Sequence, residues 1–310
     1  MKIIRGWRGL EPDDRGASVA LGAFDGVHRG HQKVISAAAE AARSAGAPLG
    51  VLSFDPHPWR WFRPEAPDFL LTTPAQRIRH LEALGVEKLY LLPFEGDLAG
   101  MAADAFAESV LAEGLGVRHV AIGSDTTFGK GRSGDGEQLK ALGGQLGFGV
   151  TVLEPVTDAE GRKLSSTDVR KAIEAGEPKA AAEILGRPFA IEGLVVEGRK
   201  LGRTLGFPTA NVALNGYVRP KLGIYATRTR LPDGRFLPGV ASVGKNPTVG
   251  EVEARLEVFL FDFDEDIYGQ VIETELIDFL RPELKFPDLE TLITQMNLDA
   301  DKARSLLLEV

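Results

Sequence analysis

Short apolar runs alternate with amphipathic segments from residue 17 to about residue 186. The runs are typical of buried strands, and the segments between them repeat apolar residues at the spacing of a helix. After the first strong run, "ASVALGAF", the residues Val34, Ile35 and Ala38 share one face of a helix predicted over residues 28–45. Strands that alternate with helices in this way predict a mostly parallel sheet covered by helices on both faces.

Other segments of this half continue the alternation. We predict strands in "PLGVLSF", "EKLYLLPF", "RHVAIG" and "FGVTVLEP", and helices in "TTPAQRIRHLEALG", near 101–114 and near 135–146. Thr73 is the expected N-cap of the first of these helices, with Pro74 in its first turn. Two short helices, "SSTDVRKAIEAG" and "EPKAAAEILG", close the half at residue 186.

The pattern changes after residue 186. Residues 187–280 contain no convincing amphipathic helix but hold the β-rich segments "FAIEGLVVEG", "GIYATRTRL", "LPGVASVG", "ARLEVFLFDF" and "QVIETELIDFL", separated by turn signals. Closely spaced antiparallel strands predict a small barrel, and residues 288–308 return to a helix. The sequence therefore predicts an α/β Rossmann-like domain over residues 1–186 and a small antiparallel β-barrel domain with a C-terminal helix over residues 187–310.

Composition narrows the function. A chain of 310 residues is long enough for two cores, and its net charge of −8 gives no surface for duplex nucleic acid. The absence of cysteine excludes disulfides and thiolate chemistry. No run is long enough to span a membrane or resembles a signal peptide, so we expect a cytoplasmic protein with no membrane or nucleic-acid partner. The oligomeric state stays open between a monomer and weak self-association.

The stretch "GAFDGVHRGH", residues 22–31, follows the first strong strand directly. Ligands of open parallel sheets bind where strands end and helices begin, and Gly22 and Gly26 allow a close approach of the backbone. His28 and His31 lie on one face of the first helical turn, beside the unpaired N–H groups of the helix N-terminus. This arrangement favours a phosphate site. A helix cap or a metal pair would also use these histidines, although no third metal ligand stands nearby.

Two further segments accompany this stretch. "SFDPHP", residues 53–58, ends the second strand, and two prolines stiffen it. His57 or the ring of Phe54 could face a nucleotide there, or the segment could simply be a rigid exit from the strand. "LSSTDVR", residues 164–170, offers a capping serine, Ser165, and Arg170 at a second helix start that can bind an anion.

The β-rich half contains "EGRKLGRTLGFPTANV", residues 197–212. Its glycines recur every four residues among basic residues, a composition compatible with a flap over phosphates. Thr209 and Asn211 offer hard oxygen ligands suited to Mg²⁺ that already holds nucleotide phosphates, or they are ordinary turn residues after Pro208.

Glu257 is the candidate base of this second site. Phosphoryl transfer to an alcohol needs a carboxylate near the acceptor hydroxyl. Glu257 lies within a predicted strand, and alternation places it on one face with Phe259 and Phe261. That face is either the barrel interior or the solvent side.

The segments "GAFDGVHRGH", "FDPHP", "GSDTTFGKGRSGD" and "SSTDVR" resemble, in this order, the adenylyltransferase half of bacterial bifunctional riboflavin kinase/FAD synthetases. The segments "GRTLGFPTAN", "GIYA", "VGKNPT", "LEVFLFDF", "YGQ" and "LRPELKF" resemble the kinase module of the same family, a six-stranded barrel. The resemblance runs from about residue 17 to residue 305. It implies that riboflavin and ATP give FMN, that FMN and ATP then give FAD and pyrophosphate, and that both steps require Mg²⁺.

The resemblance also implies roles for individual residues. The ATP phosphates of the adenylyl-transfer site are expected at Gly22, Phe24, Asp25, Gly26, His28, His31, Ser165, Ser166, Thr167 and Arg170. FMN is expected there at Phe54, Pro56, Asp125, Phe128 and Arg132. The kinase site is expected to bind ATP and flavin through Gly202, Arg203, Gly206, Pro208, Thr209, Asn211 and Arg281, with Mg²⁺ held by Thr209 and Asn211 and with Glu257 as the base.

The chain departs from the family pattern at two places. Thr126 and Thr127 follow Asp125, where the family usually has an aromatic residue, and Phe259 stands where the family often has histidine or tyrosine. Two other functions remain: an enzyme of the HxGH type with another acceptor, and a flavin-binding protein without catalysis. The "FPTAN" segment and Glu257 argue against the first, and the intact His28 and His31 argue against the second.

Overall fold

The structure is a computed structural model that describes residues 1–198, 206–245 and 254–308. The chain forms two compact units: unit 1 comprises Met1–Ala66 and Arg77–Ser165, and unit 2 comprises Pro67–Gln76 and Ser166–Val310. The helices that follow residue 165 belong to unit 2 because Val169 and Ile173 pack into its hydrophobic core. The domain boundary at residue 186 stays a prediction.

Unit 1 is built on one parallel sheet of six strands in the order β1-β4-β3-β2-β5-β6. The strands are β1 (Lys2–Arg5), β2 (Ser18–Leu21), β3 (Leu49–Asp55), β4 (Lys88–Pro93), β5 (His119–Gly123) and β6 (Gly149–Leu153). Val19 and Leu21 of β2 pack into one core and Ala20 into another, so both faces of the sheet are covered. The predicted parallel sheet is confirmed.

Helices connect these strands. They are α1 (Arg29–Ala45), α2 (Pro58–Phe62), α3 (Pro74–Ala83), α4 (Gly96–Ala99), α5 (Ala103–Ala105), a π-helical turn (Phe106–Gly114) and α6 (Gly136–Leu146). Thr73 caps α3, since its Oγ1 accepts the N–H of Gln76 at 3.1 Å. The Gln76 side chain returns a bond, because its Oε1 accepts the N–H of Thr73 at 3.0 Å. This reciprocal capping box fixes the start of the helix.

Unit 2 contains a closed antiparallel barrel in the strand order β10-β11-β8-β7-β12-β9. Its strands are β7 (Phe189–Val196), β8 (Ala210–Ala213), β9 (Gly223–Arg230), β10 (Phe236–Lys245), β11 (Ala254–Leu260) and β12 (Val271–Arg281). Its helices are α7 (Ser166–Ala175), α8 (Pro178–Leu185) and α9 (Leu289–Leu307). The predicted barrel with its C-terminal helix is confirmed.

Helix α9 covers part of the outer surface of the barrel. Its residues Ala300 and Ala303 pack with Ala226 of β9, Phe261 and Leu280 of β12 in a small core of their own. The barrel interior is a separate core that includes Leu256 and Val258. Phe259 of β11 packs against this outer core, so the outer face of β11 is covered at that residue.

The described ranges of the chain hold no helix that is long and apolar enough to cross a membrane.

Candidate active sites

The loop that carries both histidines lies at the switch point of the unit 1 sheet. Strand β2 has β3 on one side and β5 on the other, so the chain order reverses beside it. Ligands of such sheets bind outside the carboxyl ends of the strands at this position. The loop over residues 22–28 joins β2 to α1 there.

His28 caps helix α1. Its Nδ1 accepts the N–H of Gly30 at 3.1 Å and the N–H of His31 at 3.4 Å. A ring nitrogen that accepts a hydrogen bond carries no proton, so the neutral ring holds its proton on Nε2. The cap therefore fixes the tautomer and makes Nε2–H the donor that this ring can offer to an anion. The capping role and the phosphate role that the sequence left as alternatives are compatible.

Gly30, between the two histidines, leaves room for the His28 ring. A Cβ atom on Gly30 would lie 2.9 Å from Cε1 and 3.0 Å from Nδ1 of the His28 ring, closer than real side chains approach. The ring of His31 stacks on that of His28 with 3.7 Å between centroids, and the ring of Phe24 lies 5.1 Å from His31 on another side. The spacing of the motif thus builds a pair of stacked imidazoles at the helix N-terminus.

The loop before His28 is held in a strained backbone conformation. Phe24 and Val27 have φ values of 54° and 41°, which non-glycine residues rarely adopt, and Gly26 has 80°. Phe24 itself is buried in the core of unit 1. A Cβ on Gly22 would lie 3.3 Å from the Phe24 ring, so this glycine makes room for Phe24. Strain of this kind persists where the surrounding structure enforces it, often at functional sites.

Aromatic rings extend from the end of β3. The Phe54 ring meets Phe94 edge-on with 5.4 Å between centroids, and Phe62 meets Phe94 at 5.8 Å. Phe62 is 64% exposed, so this cluster presents a ring to solvent. Pro56 follows Asp55 through a cis peptide bond. His57 caps α2 by accepting the N–H of Trp59 at 3.1 Å, a role that the sequence did not indicate.

The segment after β5 forms a tight loop. Phe128 and Gly134 exchange backbone hydrogen bonds of 3.0 and 2.9 Å that close it. The Phe128 ring packs against Phe106 at 5.7 Å between centroids. Arg132 is exposed, and its Nε donates to Thr127 Oγ1 at 2.8 Å. Thr127, one of the two residues that depart from the family pattern, therefore orients this arginine. Asp125 is exposed and forms an ion pair with Lys163.

The serine-rich segment straddles the two units. Ser165 ends unit 1, and Ser166, Thr167 and Arg170 belong to unit 2, where α7 begins at Ser166. Arg170 Nε donates to the Phe69 carbonyl at 2.7 Å, and its guanidinium group lies 5.2 Å from the centre of the Phe69 ring. The anion-binding role of these residues stays a prediction.

Two cavities of unit 2 share Thr209. The first, of about 480 Å³, is lined by Pro208, Thr209, Asn211, Gly198 and the loop over residues 263–268. The second, of about 270 Å³, is lined by Thr209, Glu257, Ser242, Arg281, Asp299 and the apolar side chains Phe207, Phe259, Leu284, Phe286, Leu292 and Met296. The structure therefore places Thr209, a predicted ligand residue, in the wall of both the first cavity, whose lining is mixed, and the second, aromatic cavity.

Glu257 faces neither the barrel interior nor open solvent. It lies opposite Asn211 of β8 on one side and opposite Ser242 of β10 on the other. Directly paired residues point to the same face, and the alternating Leu256 and Val258 are buried inside the barrel. Glu257 thus lies half-buried on the outer face, in the aromatic cavity. Both of the orientations considered from the sequence were incomplete, because the sequence alone did not show what covers this face.

Arg281 is engaged by a buried carboxylate. Its Nε lies 2.9 Å from Asp299 Oδ1, and its Nη2 lies 2.6 Å from Asp299 Oδ2. Gln295 Nε2 donates to the same carboxylate at 2.9 Å. Arg281 lines the aromatic cavity as predicted for a flavin-binding residue, and the bidentate pair anchors α9 to the end of β12.

The predicted flap lies largely outside the described residues. Gly202 and Arg203 belong to residues 199–205, which the structure does not describe. Gly206, the next residue along, has a φ of 85°, a conformation that favours glycine.

Asn211 is the most buried of the predicted metal ligands, with 6% of its surface exposed. Its Nδ2 lies 3.4 Å from the Thr209 carbonyl. A Cβ on Gly198 would lie 2.5 Å from Nδ2, so glycine is required where β7 ends beside this amide. Among the described residues, no group of three or more histidine, cysteine or carboxylate side chains is arranged to hold a metal ion.

Several residues of these sites were not found from the sequence. Phe62 and Phe94 extend the predicted Phe54 site, but no motif marks them. Asp299 and Gln295 lie on the predicted C-terminal helix, where a buried carboxylate looks like any surface charge in the sequence. The one signal for Asp299 in the sequence is its position as a polar residue on the apolar face of a predicted amphipathic helix.

Comparison with known proteins agrees with both halves. The family FAD synthetase matches residues 10–168, and the family Riboflavin kinase matches residues 185–307. Proteins named bifunctional riboflavin kinase/FMN adenylyltransferase are similar over nearly the whole chain. The one from Pseudomonas fluorescens is 39% identical, covering 99% of this chain and 98% of its own, and the one from Escherichia coli K12 is 37% identical, covering 98% and 97%.

A solved structure from Streptococcus pneumoniae, described as a macrolide-efflux protein, has the same fold with a TM-score of 0.87. It is 35% identical and covers 97% of this chain and 98% of its own. Similarity of this extent covers both units. The chain therefore belongs to the family of bifunctional riboflavin kinases/FMN adenylyltransferases.

Proposed function

We propose that this chain catalyses two successive reactions. Unit 2 phosphorylates riboflavin with ATP and yields FMN and ADP. Unit 1 carries the histidine loop that then transfers the AMP group of a second ATP to FMN, yielding FAD and pyrophosphate. Family membership over both halves supports the two activities.

The observation that carries the kinase assignment is the pair of cavities joined at Thr209. In the first cavity the end formed by Thr209 and Asn211 suits the phosphate chain of ATP, while the carboxylates of Asp264, Glu265 and Asp266 lie along its loop side. The aromatic cavity suits a flat heteroaromatic ring, because Phe207, Phe259 and Phe286 line it. A γ-phosphate in one and a hydroxyl group in the other meet beside Thr209, which is what an in-line transfer between two substrates requires.

Glu257 is the base of the first step. The riboflavin 5′-oxygen forms a bond to the γ-phosphorus of ATP while the bond from that phosphorus to the β–γ bridging oxygen breaks, so ADP leaves with the electron pair. The hydroxyl proton passes to the Glu257 carboxylate, which lies in the cavity that holds the acceptor. Asn211, directly opposite Glu257, orients the phosphate side of the same step.

The residues present fit Mg²⁺ only in company with a nucleotide. Thr209 and Asn211 supply hydroxyl, carbonyl or amide oxygen, and the described part of unit 2 adds no group of three carboxylate or histidine side chains arranged to hold a metal ion. Thr209 and Asn211 would hold the ion together with phosphate oxygens. Bound there, Mg²⁺ neutralises charge that develops on the phosphate groups.

The second step needs no base, because the attacking oxygen belongs to the phosphate of FMN. This oxygen forms a bond to the α-phosphorus of ATP, and the bond to pyrophosphate breaks. Negative charge develops on the phosphate oxygens and is stabilised by Nε2–H of His28 and by the N-terminus of α1, a role that the capping position of His28 supports. The exposed ring of Phe62, with Phe54 and Phe94 behind it, supports a site for the isoalloxazine of FMN in unit 1.

Paired variants test the division of labour. We expect His28→Ala to lower FAD formation from FMN by about 10²–10³-fold and to leave FMN formation from riboflavin unchanged. Glu257→Gln should do the reverse. Equal loss of both reactions in either variant would contradict the assignment of one step to each unit. A cytoplasmic location, the absence of nucleic-acid partners and the oligomeric state stay predictions from composition.

A further inference from the structure

Arg77 is a cation that neither proposed reaction step uses. It lies on α3, one residue after the capping residue Gln76, and belongs to unit 1. Burial lowers the pKa of its guanidinium group, while the nearby carboxylates of Asp25 and Asp55 raise it. Arginine keeps its charge in such a setting, so a largely desolvated positive charge lies beside the carboxyl ends of β2 and β3.

The guanidinium group contacts the backbone of the histidine loop. Arg77 Nη1 donates to the carbonyl oxygen of Ala23 at 3.2 Å, and Ser53 Oγ donates to the same oxygen at 3.1 Å. A carbonyl oxygen accepts two such bonds. Ala23 is thus fixed from two sides, immediately before the segment that contains the strained residues Phe24 and Val27.

The charge of Arg77 also balances a carboxylate of that loop. Asp25 is only 3% exposed, between two of the strained positions. The guanidinium group of Arg77 and the Asp25 carboxylate lie close enough to attract each other electrostatically. Arg77 Nε is buried without a hydrogen-bond partner among the described residues. A buried donor without a partner lowers the stability of the fold. A role in positioning the histidine loop explains why arginine is nevertheless found at this position.

We propose that Arg77 is a positioning residue for adenylyl transfer. It holds the Ala23 carbonyl and attracts the Asp25 carboxylate, and so keeps the loop over residues 22–28 in the conformation that places His28 at the start of α1. This inference rests on the proposed adenylyl transfer and concerns the same site. Arg77 acts through the loop, and the reacting atoms are contacted by His28 and by the helix N-terminus.

The test measures both reactions in purified full-length variants. For Arg77→Ala we expect kcat for FAD formation from FMN and ATP to fall by about 10²-fold, since a displacement of about 1 Å in a reacting group has an effect of this size. KM for ATP should change little, and FMN formation from riboflavin should stay within twofold. Added guanidinium ion at non-denaturing concentration should restore part of the lost kcat, because it can occupy the space left by the side chain.

Three variants keep the test decisive. Arg77→Lys retains the charge but not the planar fork, and should keep more activity than Arg77→Ala. Ser53→Ala removes the other donor to Ala23 and should lower the same kcat by a smaller factor, so it carries the test if Arg77→Ala does not fold. Arg43→Met, which removes an exposed cation from α1, is the matched control and should match the wild type.

The outcomes separate this inference from the proposed function. Wild-type protein that makes no FAD from FMN and ATP would overturn the proposed function itself. Wild-type activity together with an unchanged kcat in Arg77→Ala would overturn the role of Arg77 alone. A loss that reaches FMN formation equally, with no rescue by guanidinium ion, would show that Arg77 is a general stabilising residue and would also overturn the inference.

Discussion

Replacing Gly30 by alanine tests whether the His28 ring must lie where the structure places it. The new Cβ would lie 2.9 Å from Cε1 and 3.0 Å from Nδ1 of that ring. Because the ring occupies this position in order to cap α1, either the cap breaks or the ring tilts away. Loss of a cap costs about 0.5–2 kcal/mol of stability. Loss of one aligned donor to a developing oxyanion costs roughly 10²–10³-fold in rate.

Both reactions of the same protein sample provide the assay. We expect Gly30→Ala to form FAD from FMN and ATP about 10²-fold more slowly, to form FMN from riboflavin at the wild-type rate, and to unfold at a slightly lower temperature. Gly144→Ala is the matched control, since Gly144 is an exposed helical glycine whose added Cβ would meet nothing within 4 Å. It should be neutral or stabilising by about 0.5–1 kcal/mol. Wild-type FAD formation by Gly30→Ala would refute the reasoning that the His28 ring is fixed by the glycine and is needed for transfer.

Three further predictions concern other parts of the molecule. Asp299→Ala removes the carboxylate partner of the half-buried Arg281, so we expect the free energy of unfolding to fall by up to about 3 kcal/mol and KM for riboflavin to rise. Lys179→Met, which breaks the pair with Asp278, should change neither value much, and an unchanged KM in Asp299→Ala would contradict the anchoring of α9. Phe62→Ala should raise KM for FMN in adenylyl transfer roughly two- to tenfold, the effect of losing about 0.5–1.5 kcal/mol of ring contact. Phe236 is an exposed ring of the barrel, and Phe236→Ala should leave this KM unchanged. Equal KM values in both variants would argue against a flavin site at Phe62. Burial lowers the pKa of His119 below its ordinary value of 6.5, so the unfolded chain binds the proton more readily than the folded one. The free energy of unfolding should therefore fall as the pH drops from 6.5 through the lowered pKa. Denaturant unfolding at several pH values should show a weaker fall in His119→Asn, and an identical fall in the variant and the wild type would contradict this explanation.

The main elements of both units follow from the sequence because each is fixed by local pattern. Buried parallel strands are apolar on both faces, which gives the continuous runs seen in β2 and β3. The loop with His28 and His31 is recognisable because glycine and histidine are both required by the geometry within a few residues. Strand β1 was missed, since only Ile4 of its four residues is buried and an edge strand of this kind leaves no apolar run.

Other features depend on contacts that no local pattern records. Residues 67–76 belong to unit 2 because Gln76 donates to Glu273 and to the Ala190 carbonyl, and polar contacts between distant segments leave no periodicity. The surroundings of Glu257 depend on α9, which is distant in sequence and lines the same cavity through Leu292, Met296 and Asp299. Period-two alternation shows which residues share a face of a strand, but the partner of that face is a tertiary property.

A time course with the wild-type protein tests the central claim most directly. The protein is incubated with riboflavin, excess ATP and Mg²⁺, and the flavins are separated by chromatography at successive times. We predict that FMN rises first and then declines as FAD accumulates, and that FMN supplied in place of riboflavin gives FAD without a lag. Recovery of unchanged riboflavin, with no flavin nucleotide at any time, would contradict the account.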